Sequence, residues 1–265
     1  MKVVLTGDGG DELFLGYEQY SHLNKALKLS NIPGAKIASK AAINTIPLRF
    51  FNLFYKHASE MDKEALKRIP LVIGDIKKDK AKAYYDLISI FSEDERQAMM
   101  DSNDYEKIDY KTINNNYFKK DIFQSLSYFD TKKLLSESFL MKTDRMTMAN
   151  SQESRVPLLD YRIATLAHNI PVSIRMSKEP LKKLLLRNFH KDFVYRKKQP
   201  FHVPLNRWFL ENNSLMEGYD LTKNKHFDKQ VVQKIIEKTK KGNLYSTRQF
   251  FNLVVFDIWE KRFMR

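Results

Sequence analysis

The chain has 265 residues, 43% of them hydrophobic, a net charge of +14 and no cysteine. That length and apolar content support a buried core and exclude a disordered polymer, and the missing thiols exclude disulfides, thiolate metal sites and a cysteine nucleophile. No apolar stretch reaches bilayer length, and the opening "MKVVLTGDGG" lacks the charged-then-apolar layout of a secretory leader, so the cytosol is the expected compartment. The basic residues are dispersed, densest in "RKK" at 196–198 and "KKGN" at 240–243, without an arginine-rich run or a nucleic-acid motif. Solvated lysine-bearing helix faces are therefore expected, some of them turned toward a phosphate-bearing small molecule, with no nucleic acid and no membrane as partner.

Val3, Val4 and Leu5 predict a short buried strand of parallel type that ends in "GDGGDE", Gly7 to Glu12. Leu13, Tyr17 and Tyr20, continued by Leu23 and Leu27, share one helical face until "NIPGAK" at 31–36 breaks it. Residues 35 to 125 read as helical and lysine-rich; Tyr84, Leu87, Ile88 and Phe91 form an apolar stripe that serves packing and not chemistry. Leu135 and Phe139 mark a helix running toward "KTDRMTMANSQESRVPLLD", with Met146 and Met148 read as core filler. A short helix follows from Asp160 to His168, then "EPLKKLLLRNF" with Pro180 in its first turn. "YRKKQPFHVPLNRWF" reads as a loop held by Pro200 and Pro204. Val231, Val232, Ile235 and Ile236 stripe a helix stopped by Gly242. The last helix is expected to open with a capping box at Ser246 to Gln249 and to bury Phe251, Val254, Val255, Ile258 and Trp259. There is no repeat, low-complexity tract or clear linker. One strand among many helices cannot make a sheet, so a portion of a larger α/β unit is expected.

Three chemistries compete for Gly7 to Glu12. A dinucleotide fingerprint fails because Glu12 stands where the last glycine of G-x-G-x-x-G belongs, and the ligand spacing of an EF-hand is absent. A nucleotide-phosphate site working through metal remains: glycines let the main chain approach a ligand, a following helix offers amide hydrogens, and Mg²⁺ reconciles carboxylates with phosphates. Against it stands the plain alternative, a turn followed by an acidic first helical turn.

Together with that loop, "DRMTMANSQESRVPLLDYR", "KKLLLRNFHKDFVYRKKQPF" and the closing "TRQFFNLVVFDIWEKRF" make the chain resemble the carboxy-terminal synthetase domain of glutamine-dependent asparagine synthetases over essentially its whole length. The resemblance implies an α/β fold, predominantly helical: the C-terminal part of an adenine-nucleotide alpha-hydrolase-like (ATP-pyrophosphatase) synthetase domain with little of the parallel sheet present. It implies one domain over residues 1–265, incomplete at its N-terminal side. The reaction implied uses ATP and Mg²⁺ to adenylate the side-chain carboxylate of aspartate, after which ammonia gives asparagine, AMP and pyrophosphate. A related adenylating amidotransferase acting on a surface sugar acid or a peptide, a basic helical binding module and an inactive fragment are the alternatives.

The resemblance also distributes roles. Asp8 stands where the family usually has glutamate beside the acyl-adenylate, Asp11 where it has the acid assigned to metal and pyrophosphate, and a helical turn would set the two on one side. Tyr17 matches a tyrosine able to hydrogen-bond in the active centre, or else packs on the Leu13–Tyr20 face. Lys198, in the R-x-K segment Arg196 to Lys198, matches the catalytic lysine, a compact cation for an anionic acyl centre. Gly7, Gly9, Gly10, Lys183 and Arg145 fall at the ATP and pyrophosphate positions, with Asp144 nearby. Glu153, Arg155 and Asp160 suit a buried charge network around Pro157. The amino-terminal cysteine of the glutaminase half and the Ser-Gly-Gly-x-Asp-Ser loop are absent from this sequence. A separate chain carrying both regions is therefore an expected partner beside aspartate and ammonia, with a homodimer as an allowed assembly.

Overall fold

The computed structural model describes residues 2–47, 50, 66–100, 105–117, 121–196, 203–211 and 218–264. These fall into two compact units, one within Met1–Lys25 and Tyr110–Gln199, the other within Ala26–Asp109 and Pro200–Arg265.

The first unit carries the sheet. β1 (Val3–Leu5) pairs in parallel with β2 (Glu153–Arg155), Val4 standing opposite Ser154. The ladder is extended by Glu153 N–H donating to Lys2 O at 2.8 Å and Thr6 N–H to Arg155 O at 2.9 Å. The parallel direction is as expected; the burial is not, since Leu5 is 73% exposed. The sequence expectation of a lone strand is corrected as well. "ESR" has no β-branched or aromatic residue, so β2 is defined by its hydrogen bonds to β1 and carries no propensity signal.

The unit has a small core of Leu13, Phe14 and Ala167, packed by Leu159, Ile163, Ala164, Ile170 and Leu181. Beside it, the Ile122–Asp130 helix starts at Asp121, whose carboxylate accepts from Phe123 N–H and Gln124 N–H, and buries Phe123, Leu126 and Phe129. It continues through a π-helical stretch, Thr131–Phe139, into the Leu140–Met148 helix, with Leu140 N–H donating five residues back to Leu135 O. That last segment buries none of its residues, so Met146 and Met148 are 61% and 55% exposed and are not core filler. Nor does one helix carry Leu13, Tyr17 and Tyr20. The Gly10–Leu13 and Glu18–Ser30 helices are separated by a turn in which Leu15 takes φ 49°.

The second unit is helical. Its core joins Phe209 of the Leu205–Glu211 helix, Val232 and Ile235 of Lys229–Lys240, and Phe250, Leu253 and Val254 of Leu244–Phe263. Gly242 follows the Lys229–Lys240 helix at φ +80°, as its stop role requires. Arg68 ties the unit together, donating to Ser89 O, to Ile90 O at 2.8 Å, to Glu95 Oε2 at 3.1 Å and to the Tyr245 hydroxyl at 2.7 Å. The last helix begins three residues earlier than the sequence suggests: Asn243 caps it by accepting from Ser246 N–H, and Ser246 is buried inside it. Its core face is correspondingly shifted. Val254 is buried as expected, whereas Phe251, Val255, Ile258 and Trp259 are exposed; the segment is apolar on every side, so periodicity alone does not select a face. Among the described residues no helix is long and apolar enough to cross a membrane.

Candidate active site

β1 delivers the chain into the turn Gly7–Gly9, and a single helical turn, Gly10–Leu13, follows. Gly9 sits at φ +82°, a left-handed conformation that side chains resist, and a Cβ there would lie 2.3 Å from Leu159 Cδ2. Gly10 is buried, with Leu158 3.1 Å from the place a Cβ would take, while Gly7 faces open space. The loop's amides are partly spent: Gly10 N–H donates to Gly7 O and Leu13 N–H to Gly9 O.

The two carboxylates of the loop have different surroundings. Asp8 precedes the helix and accepts from the Thr6 hydroxyl at 2.9 Å and the Thr143 hydroxyl at 3.5 Å. Asp11 lies within the helix and pairs with Lys178 Nζ at 2.9 Å. The helical turn that would align them thus begins at Gly10, two residues too late to include Asp8. Glu12 points inward and is 2% exposed; Tyr17 donates its hydroxyl to Glu12 Oε1 at 2.5 Å and sets its ring at a tilt to those of Tyr20 and Phe139. Burial raises the Glu12 carboxyl above the usual carboxylate range, and burial together with Glu12 lifts the Tyr17 phenol, so the phenol keeps its proton. Ser127 holds Glu12 O at 2.8 Å, and Tyr20 donates to the fully buried Asp130 at 2.5 Å.

Other sequence candidates stand apart from this cluster. Arg145, beside Asp144, and Lys183 are exposed on the Leu140–Met148 and Glu179–Leu185 helices. Neither side chain has a hydrogen-bonded partner among the described residues. Lys198 lies outside the described residues; Arg196, at the head of its segment, sits with its guanidinium 4.9 Å from the Phe193 ring centre. The charge network around Pro157 is not buried. Glu153 and Arg155 pair at 2.8 Å on one exposed strand face, and Asp160 caps the Tyr161–Asn169 helix while accepting from the Arg162 guanidinium. Each charge finds a local partner in water and avoids the cost of desolvation. Arg162 holds the Asp160 carboxyl down to about 2.

Sequence reasoning missed Thr6, Glu12, Thr143 and Lys178. Thr143 stood inside a quoted motif; nothing near Lys178 signals that its ammonium reaches Asp11.

One further group steadies this side of the unit. Arg175, fully buried, donates to Ala167 O at 3.1 Å and to Gln124 Oε1 at 2.6 Å. That fixes the Gln124 amide so that its Nε2 donates to His168 O at 3.0 Å and to His168 Nδ1 at 3.1 Å. The ring is therefore neutral, with its proton on Nε2, and burial together with the Arg175 charge lowers its pKa from 6.5. The unfolded chain takes up a proton as pH falls through 6.5 and the folded chain resists it, so stability should drop below that pH. Urea midpoints measured at pH 7.5 and 5.5 should fall more steeply for the wild type than for His168→Asn.

A parallel strand running into a glycine turn with two part-exposed carboxylates can hold a phosphate-bearing ligand through a hard divalent cation. Mg²⁺ fits such oxygen donors, because it is commonly held by one or two carboxylates and completes its shell with water and substrate phosphates. A protein-only cage is not present: no group of three or more His, Cys, Asp or Glu that could hold a metal occurs among the described residues. Comparison with known proteins gives the class its family. The asparagine synthase family model matches residues 1–261, and the chain belongs to that family. It is 26% identical over 282 aligned residues to asparagine synthetase [glutamine-hydrolyzing] 1 of Bacillus subtilis, covering 99% of this chain and 41% of the relative. It is 23% identical to a putative asparagine synthetase [glutamine-hydrolyzing] of Mycobacterium bovis, covering 100% of this chain and 40% of that protein. An asparagine synthetase of Gallus gallus matches at 28% identity over 46% of this chain and 22% of its own length. The chain thus spans about two-fifths of the first two relatives. No solved structure matches it.

Proposed function

We propose that this chain supplies the carboxylate-bearing part of the active centre of a cytoplasmic asparagine-forming amide ligase, in which ATP activates the aspartate side chain and ammonia displaces AMP. The observation that carries the reading is the Gly7–Asp11 loop at the end of a parallel strand, in a chain whose family is asparagine synthase. Bound Mg²⁺ would neutralise phosphate charge. Asp11 would hold it, and Asp8, kept in place by Thr6 and Thr143, would face the acyl centre. Gly7, Gly9 and Gly10 leave the main chain open to the phosphates. Lys198 would stabilise negative charge on the acyl oxygens, Lys183 and Arg145 would meet phosphate from the flanking helices, and Tyr17 would keep Glu12 from competing for metal. The glutaminase and ATP-loop functions would come from regions that these 265 residues do not contain.

The test is reconstitution with those regions supplied, reading pyrophosphate release against added carboxylic acids. Release that depends on aspartate supports the reading; release with another acid and none with aspartate overturns the substrate. In the same assay Lys198→Ala should cut turnover by about a hundredfold, the scale for losing a group that stabilises charge in the transition state, while unfolding midpoints stay nearly constant. Parallel loss of stability and turnover would remove Lys198 from the chemistry.

A further inference from the structure

Lys178 lies outside every motif of the sequence, yet the fold invests in its position. Ser177 and Lys178 occupy successive left-handed conformations, φ 59° and 62°, which non-glycine residues adopt at a cost. Their amides close onto the turn after the glycine–acid loop: Ser177 N–H donates to Leu15 O at 3.0 Å and Lys178 N–H to Phe14 O at 2.9 Å. The buried Arg175 anchors the same corner from the other side. The resulting Lys178–Asp11 pair lies across Gly16, where a Cβ would stand 2.1 Å from Lys178 Cε and 2.3 Å from Asp11 Oδ1. A strained corner, a bare glycine and a 2.9 Å ion pair converge on one carboxylate.

We propose that Lys178 is a resident counter-ion of Asp11, which a divalent cation must displace in order to bind; this rests on the reading of Asp11 as a metal ligand. With the ammonium in place, Asp11 is neutralised and fixed in the absence of metal. A cation entering at Asp11 releases Lys178, and the freed charge remains beside the loop on a side chain 31% exposed. Lys178 is thus a positioning residue that sets the threshold for metal entry.

The test uses Mn²⁺ alone, titrated into the full chain and followed by its electron paramagnetic resonance signal. Lys178→Met and Lys178→Gln should bind Mn²⁺ about threefold to tenfold more tightly than wild type, the scale expected for a partly exposed ion pair. Lys178→Arg, which keeps the charge, should bind as wild type does, and Asp11→Asn should lose binding. The wild-type chain gives a measurement that needs no variant: saturating Mn²⁺ should speed acetylation of Lys178 by an N-hydroxysuccinimide ester, read by mass spectrometry. Asp11→Asn binding like wild type would overturn the metal reading, and this proposal with it. Loss of binding in Asp11→Asn, combined with no tightening in Lys178→Met or Lys178→Gln, or with unchanged acetylation, would overturn the counter-ion alone.

Discussion

Replacing Asp11 with asparagine is expected to slow pyrophosphate release in the reconstituted enzyme by about a hundredfold, a loss of about 2.7 kcal/mol of transition-state stabilisation. The amide keeps the shape of the side chain and removes the anionic oxygen that a hard cation requires. The fold should hardly register the change. The Asp11–Lys178 pair is part-exposed on both sides, at 22% and 31%, and such pairs contribute at most about 1 kcal/mol. The decisive comparison is therefore between rate and urea midpoint: a rate within threefold of wild type would remove Asp11 from the metal site.

Gly9→Ala is expected to show the opposite balance, with a loss of about 2–5 kcal/mol in folding stability. A side chain at φ +82° costs about 1–2 kcal/mol, and the Cβ drives into Leu159 at 2.3 Å, an overpacking worth about 1–3 kcal/mol in a filled core. Leu159 belongs to the cluster around Leu13 and Phe14, so the strain is passed to the helix that bears Asp11. The two contributions can be separated. Leu159→Ala in the Gly9→Ala background should recover the steric part and leave the conformational part, and a single variant within 0.5 kcal/mol of wild type, the usual range for neutral surface changes, would sink the argument.

Much of this centre was legible in residue types. Valines at 3 and 4 gave β1, and the glycine at 242 gave its helix stop. The loop composition raised a metal-and-phosphate chemistry as one reading, and the resemblance named a family that the chain does belong to. What could not be read has a common cause. β2 has no strand-forming residue and exists because β1 lends it a partner. Lys178 reaches Asp11 across 167 positions through two backbone conformations that no composition rule assigns to Ser-Lys. The last helix offers apolar residues on all sides, and the contacts of Phe209, Val232 and Ile235 decide which of them turn inward. Local pattern fixes local structure; these features are settled by partners far along the chain.

The rod that runs from Ile122 through the π-helical stretch to Met148 touches the loop at two stations, Ser127 on the Glu12 carbonyl and Thr143 on the Asp8 carboxylate. It works as a ruler, and its wide-wound middle sets the phase between the marks. Losing a single residue between 131 and 139 would swing Thr143 by about 100° while Ser127 stayed where it is. A surface loop of the same protein could shed a residue unnoticed; this interior length is a dimension of the glycine–acid loop's support, as binding as any side chain within it.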